Sequence, residues 1–518
     1  MIEQFSTEPS PNPKDHPSIS PWIDEQIWGH RLWEAQSPWL LFLEFLSIGE
    51  ACNRNGKFLD EESAHYPLMC KTYKRMYLRN ILFNNVELAR LGEQQYIDQD
   101  DLWDTWIRWM NDNAQGIRVR DFSYLKKRFH SFHEFVTLVS MLRESVVESE
   151  SNRRWTSRFV FPFGPKALYV DVNLTSAGQP TLEYINFGRT GEILYLMLSR
   201  SVYRVDLQTP LTRLLQGDNP WNRLLGLLQQ DDEEKDWFDR GQSYLPYLHH
   251  PTFDELAIDW LNIFHLQLPR FDPVPHLVTL GAFHILLYQI KIAAEWLKKE
   301  RKPHMICEVV APNKTLVREL SFVNYQDNID LPAQAVEIYL DYIEHSEEWQ
   351  NALKEPGAFS ICCKILKERV RWPQKPDDYE QSEDPDRLMK ELRAEALRGH
   401  RQHVAHLHRA YGRDVGLVSK RGTTKLRYAP NDALLKTLVA ANVEIRMELG
   451  EFLERLYTRY GLVFGEKEAM QVLSNDEFDK KAFQANAERL EQRLISLGML
   501  RRLSDSCAYV ENPYSRRT

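Results

Sequence analysis

The 518-residue chain has few cysteines and no pattern among them. Cys52, Cys70, Cys307, Cys362, Cys363 and Cys507 form no CxxC pair and no disulfide-framework spacing, which points to a reducing compartment. The first twenty residues have no basic stretch followed by an apolar one, so they do not read as a signal peptide. Long apolar runs are also scarce. The longest candidate, around 38–48, contains Glu44 and reads as a buried helix rather than a membrane span. A cytoplasmic protein with no membrane partner is expected. Catalytic signatures are missing as well: no GxSxG elbow, HExxH, SxxK or kinase set, no GxxxxGK[ST] and no full GxGxxG. No cofactor and no resident metal are expected, and catalysis has no motif behind it.

What is present suits a folded protein of several domains. Hydrophobic residues make up 43%, and 14 Trp with 24 Phe supply enough core material to repay the entropy of ordering. The length suggests about three domains. Residues 1–20 are polar and proline-containing and read as a flexible arm. A helical domain is expected over 21–154, with apolar stripes such as Leu102, Trp103, Trp106 and Met110 at spacings of three and four. Such a tryptophan stripe reads as core before it reads as a base-stacking platform.

A second helical domain over 155–372 carries short β-leaning segments. Two of them, 167–174 and 181–187, form an expected hairpin, and 305–310 is a further strand. The acidic run 231–236 reads as surface. Prolines and acids over 373–387 read as a linker. A basic helix and loop follow over 388–430, with Arg421 and Gly422 as a turn, and then a last unit over 431–518. The expected fold class is mainly α and multidomain, with a small embedded antiparallel sheet.

Charge is distributed unevenly. The chain carries a formal −9, yet 388–430 holds ten Lys/Arg against three acids, an excess of +7 that leaves −16 for the remainder. A cationic strip in an anionic protein is the footprint expected of a polyphosphate partner. The expected nucleic-acid contacts are Arg393, Arg398, Arg401, Arg409, Arg413, Lys420, Arg421, Lys425 and Arg427. The same strip could instead be a solvated face or meet an acidic protein.

In the last unit, Asn431 or Asp432 can cap a helix burying Leu434, Leu435 and Leu438. A second helix buries Leu449, Phe452, Leu453 and Leu456 and stops at Gly461; a third buries Phe483, Leu490 and Leu494 and stops at Gly498. A two-stranded hairpin across 499–510 completes the series. Three helices followed by a hairpin resembles a winged-helix domain, over roughly 430–515, in element order rather than in any residue signature. The resemblance implies a recognition helix from about Asp479 to Leu497 and a wing at 500–510. Many winged helices insert that helix into the DNA major groove, and others only join proteins. Arg489 and Arg493 would then add contacts, although Glu488 and Glu491 on the same helix repel phosphate, and 431–518 as a whole sums to −1.

Other candidates carry bland alternatives. Gly188, Arg189, Thr190 and Gly191, after a strand and before a helix, could cradle an anion, or could be a capped turn. His400, His403, His406 and His408 could bring two imidazoles to a metal, but the surrounding arginines would repel a dication. Asp171, Glu183 and Glu308 lie on expected strands without the lysine two residues on that a restriction-type nuclease uses.

The expected function is a non-catalytic, DNA-associated subunit of a larger prokaryotic nucleic-acid-processing or antiviral-defence assembly, with double-stranded DNA and other protein subunits as partners. The alternatives are a metal-dependent nuclease using those acids, and a scaffold whose winged helix binds only protein.

Overall fold

The computed structural model describes residues 22–30, 32–60, 70–94, 98–147, 154–183, 188–230, 237–239, 243–380, 383–421, 424–504 and 507–515. The expected arm 1–20, the acidic run 231–236, and Gly422 of the expected turn lie outside them. The fold is mainly helical and multidomain, with small, mostly antiparallel sheets. Two compact units form, and neither is continuous in sequence: one gathers the described residues within 39–195 and 208–241, the other those within 22–38, 196–207 and 242–518.

The smaller unit is organised by aromatic packing. The helix Gln99–Asn113 begins at Asp98, whose carboxylate accepts from the Asp100 N–H, and buries Leu102, Trp103, Trp106 and Met110. Trp106 packs edge-on against Phe135 at 4.8 Å, and its indole N–H donates to Asn85 Oδ1 at 3.0 Å. The tryptophan stripe is core, because the polar end of each buried indole must find a partner while its ring fills volume. The expected hairpin exists but is shorter, Val172–Leu174 against Pro180–Leu182, with Asn173 opposite Thr181. Residues 184–187 of the expected second strand lie outside the described residues. Phe159–Phe163 makes no strand; Val160 forms only an isolated bridge to Val146.

The larger unit is built around the helix Pro273–Trp296. This helix, not 38–48, is the most apolar long stretch: its mean hydropathy reaches 1.6 and 89% of that window is buried inside the protein. It passes the length and composition test for a membrane span, yet its burial is that of a core helix surrounded by Pro251–His265, Leu316–Glu344 and Val404–Asp414. Leu316–Glu344, the central helix, is capped by Thr315 and continues through Pro332. The 373–387 stretch is not a boundary between domains. The chain on both sides belongs to this unit, and Pro385–Gln402 packs on the central helix. The basic helix expected within 388–430 is two helices, Pro385–Gln402 and Val404–Asp414, which meet at His403.

The C-terminal segment begins with Asp432–Asn442, capped by Asn431, whose Oδ1 accepts from the Leu434 N–H at 2.8 Å. Leu449–Tyr460 ends on Gly461 in the left-handed region at φ 75°, the conformation glycine adopts without steric cost. A short helix, Glu466–Val472, which the sequence did not disclose, precedes Lys480–Ser496. Leu500–Ser504 and Cys507–Glu511 pair antiparallel, and Arg446–Glu448 joins as a third strand on Cys507–Glu511, with Val510 opposite Met447. Separately, Leu462–Val463 pairs in parallel with Met305–Ile306, from far earlier in the chain. Around that pair, Ile306, Val317, Val463, Ala469, Val472 and Phe483 form one apolar cluster.

Candidate polyanion interface

The turn Gly188–Gly191 does not offer an anion site to an external ligand. All four residues are buried. Glu44 Oε2 accepts from the Gly191 N–H at 2.9 Å, so a carboxylate of the protein itself occupies the start of the Thr190–Ser199 helix. Arg189 is held at φ 69° with its Nε 4.0 Å from Glu192 Oε1. Gly188, Arg189, Thr190 and Gly191 thus build an internal cap, which corrects the expectation of an external phosphate.

The acids of the nuclease reading are each matched by arginine. Asp171 meets Arg79 at 3.1 Å with both side chains fully buried. Glu183 meets Arg154 at 2.5 Å. Glu308 lies between Arg318, at 2.8 Å, and Arg427. Among the described residues, no three His, Cys, Asp or Glu side chains are grouped so as to hold a metal ion.

The four histidines are dispersed. His400 lies against Trp28 with Nδ1 2.8 Å from Asp24 Oδ1. His403 stacks on Trp33 at a ring separation of 4.7 Å, beside Glu34. His408 is buried with Nε2 2.8 Å from the Tyr428 hydroxyl, with which it shares a hydrogen bond, and burial pushes it down to about 3, so it is neutral. Only His406 is exposed.

The expected cationic contacts divide into two groups. Five are committed to the protein. Arg393 bridges Asp341 and Glu344, and Arg398 holds Glu395. Arg427 is fully buried against Glu308. Arg489 Nε donates to the Val309 carbonyl at 3.3 Å, and Arg493 binds Asp432 at 2.6 Å and the Pro430 carbonyl at 3.0 Å. Between those two arginines and the helix core, the buried Asn486 donates to the Cys307 and Phe464 carbonyls, each at 3.0 Å, and accepts from the Val309 N–H at 2.9 Å. The face of Lys480–Ser496 that carries the arginines is therefore used against the protein's own backbone. Arg393, Arg427, Arg489 and Arg493 are thus engaged within the protein, whereas Arg398 pairs with Glu395 one turn away while remaining exposed.

The second group stays on the surface. Arg401, Arg409, Arg413, Lys420, Arg421 and Lys425 are all exposed. Among the described residues, the first five have no ion-pair partner. Arg409 and Arg413 are four apart on Val404–Asp414, one helical turn beyond His406, so they lie along one stripe. Lys420 and Arg421 follow the strand Val418–Ser419, which packs on that helix and pairs with Arg427–Tyr428. Lys425 Nζ sits 4.3 Å over the Phe322 ring of the central helix. Three residues on, burial pushes the Tyr325 hydroxyl up to about 12, while the charges of Arg409 and Arg413 pull it back. Those two arginines thus lie close to the central helix, and one cationic ridge spans its middle, the Val404–Asp414 helix and the following strand. The aromatic residues beneath the ridge were not anticipated, since Phe322 and Tyr325 show only the spacing of helix core.

No protein-family model matches this chain, and neither a curated protein nor a solved structure matches it.

Proposed function

We propose that the chain is a non-catalytic nucleic-acid-associated subunit that holds the phosphate backbone of duplex DNA on the ridge of Arg409, Arg413, Lys420, Arg421 and Lys425. The observation that carries this reading is the absence of ion-pair partners, among the described residues, for the first four of these cations, in a chain whose net charge is −9. An anionic protein leaves such cations unpaired at a cost in self-attraction that an external polyanion offsets by releasing its counterions.

The C-terminal segment is read as a winged-helix unit that serves docking. What supports the winged-helix reading is the order of helices and the sheet in which the strand after the first helix lies beside the last strand of the hairpin. What supports docking over base reading is the engagement of Asn486, Arg489 and Arg493 with backbone at 307–309, 430 and 464. The arrangement suits a component that sits in a larger assembly and leaves catalysis to another chain.

The test is a mobility-shift and fluorescence-anisotropy series on a short DNA duplex over a range of salt. Wild type is compared with the variant carrying Arg409→Glu, Arg413→Glu, Lys420→Glu and Arg421→Glu. Wild type is expected to bind at low salt with a steep salt dependence that the variant loses. No wild-type binding at low salt, or equal binding by both proteins, sinks the reading.

A further inference from the structure

The C-terminal segment has a second polar feature, of opposite sign, which stands independently of the DNA reading. Between the first turn of Leu449–Tyr460, the short helix Glu466–Val472 and the outward face of Lys480–Ser496 lies a pocket of about 360 Å³. Its apolar floor is Leu449, Gly450, Leu453 and Ala487. Its polar wall carries four carboxylates, Glu466, Glu468, Glu488 and Glu491, against a single lining cation, Lys467.

Glu468 is only 3% exposed, yet its Oε2 has no hydrogen-bond partner; Glu466 Oε2 and Glu491 Oε1 are also buried without one. The nearest cations outside the lining are loose: Lys480 Nζ stays 3.8 Å from Glu466 Oε2, and Arg502 Nε 3.7 Å from Glu491 Oε1. Of these acceptors Glu468 is the most deeply buried, and an incoming donor would relieve the desolvation cost of its carboxylate. Burial also pushes the Glu468 carboxyl above its ordinary range, which a neighbouring cation would reverse.

We infer that this pocket receives a lysine side chain from a basic segment of a partner protein. The match is chemical at both ends. An ammonium has three donors and no acceptor, and its aliphatic stem lies along apolar floor. Phosphate is excluded by the carboxylates. A free polyamine would satisfy the charge but not the exposed Met470 and Ile495 on two of the same helices, 63% and 44% open, which a protein segment can cover.

The experiment titrates the full-length protein into a dye-labelled peptide of alternating glycine and lysine, with a glycine–glutamate peptide as control, and reads anisotropy. The lysine peptide is expected to bind and the glutamate peptide not. Glu488→Lys, at an exposed position, and Gly450→Phe, which fills the open space at the floor without changing charge, are each expected to weaken binding about tenfold. Both variants should melt like wild type and keep duplex DNA binding. No binding of the lysine peptide, unchanged affinity in either folded variant, or displacement by spermine as efficient as by unlabelled peptide overturns the assignment. Loss of DNA binding alone bears only on the ridge.

Discussion

The backbone N–H of Gly191 and the Glu44 carboxylate meet at 2.9 Å across 147 residues of sequence, so the helix at Thr190 is capped from within its own unit. A Cβ at position 191 would stand 2.6 Å from both the Leu41 carbonyl oxygen and Glu44 Cβ. Gly191→Ala is therefore expected to cost about 1–3 kcal/mol through overpacking, read as a lower denaturant midpoint. Added inorganic phosphate should leave the wild-type melting temperature unchanged. Phosphate-dependent stabilisation would restore the external anion site.

Arg79 and Asp171 form a fully buried pair, with Arg79 Nη1 also donating to the Val170 carbonyl at 2.6 Å. Removing one partner leaves an uncompensated buried charge. Arg79→Ala should destabilise by about 3–5 kcal/mol, and Asp171→Asn in the same chain should recover some of that loss. Strict additivity of the two substitutions in equilibrium unfolding would contradict the pairing.

His408 gives the protein a pH dependence of definite sign. Its folded value of about 3 lies below the ordinary histidine value, so the unfolded chain binds the proton more readily. The stability it contributes is complete above roughly pH 6.5 and is lost as pH falls toward 3, by about 2 kcal/mol at pH 5. Urea unfolding at several pH values should show this slope, and His408→Gln should flatten it. A slope of equal size in the variant assigns it elsewhere.

The ridge and the committed arginines separate in their salt dependence. Arg409→Ala and Lys420→Ala should each lower the slope of log K against log salt by about 0.9. Arg489→Ala, whose guanidinium is spent on the Val309 carbonyl, should leave that slope alone.

Asn486 completes three backbone hydrogen bonds that no apolar residue can make. Asn486→Leu should cost at least about 2 kcal/mol, since buried amide and carbonyl groups lose their partners. Amide exchange should quicken at Val309 and around Phe464. Unchanged protection there would mean that the third helix is held by its apolar face alone.

Much of the local structure was legible before the fold. The Asn431 cap, the stops at Gly461 and Gly498, the aromatic core of Gln99–Asn113 and the closing hairpin all follow from side chains acting within a few residues of themselves. The units were not legible, because each is assembled from separated stretches, and the proline-rich 373–387 has the composition of a linker while lying within one unit. Pro210 and Pro332 sit inside helices, where surrounding packing outweighs a missing hydrogen bond.

By itself, the sequence determined which residues are cationic, where several of the helices start and stop, and that the charge is concentrated in one stretch. Only the tertiary structure decided which of those charges are available. Arg427 and Arg421 are six residues apart in the same basic loop, yet one is buried on Glu308 and the other faces solvent. The reason is that a charge's role depends on its dielectric and its nearest opposite charge, and both are supplied by residues more than a hundred positions away.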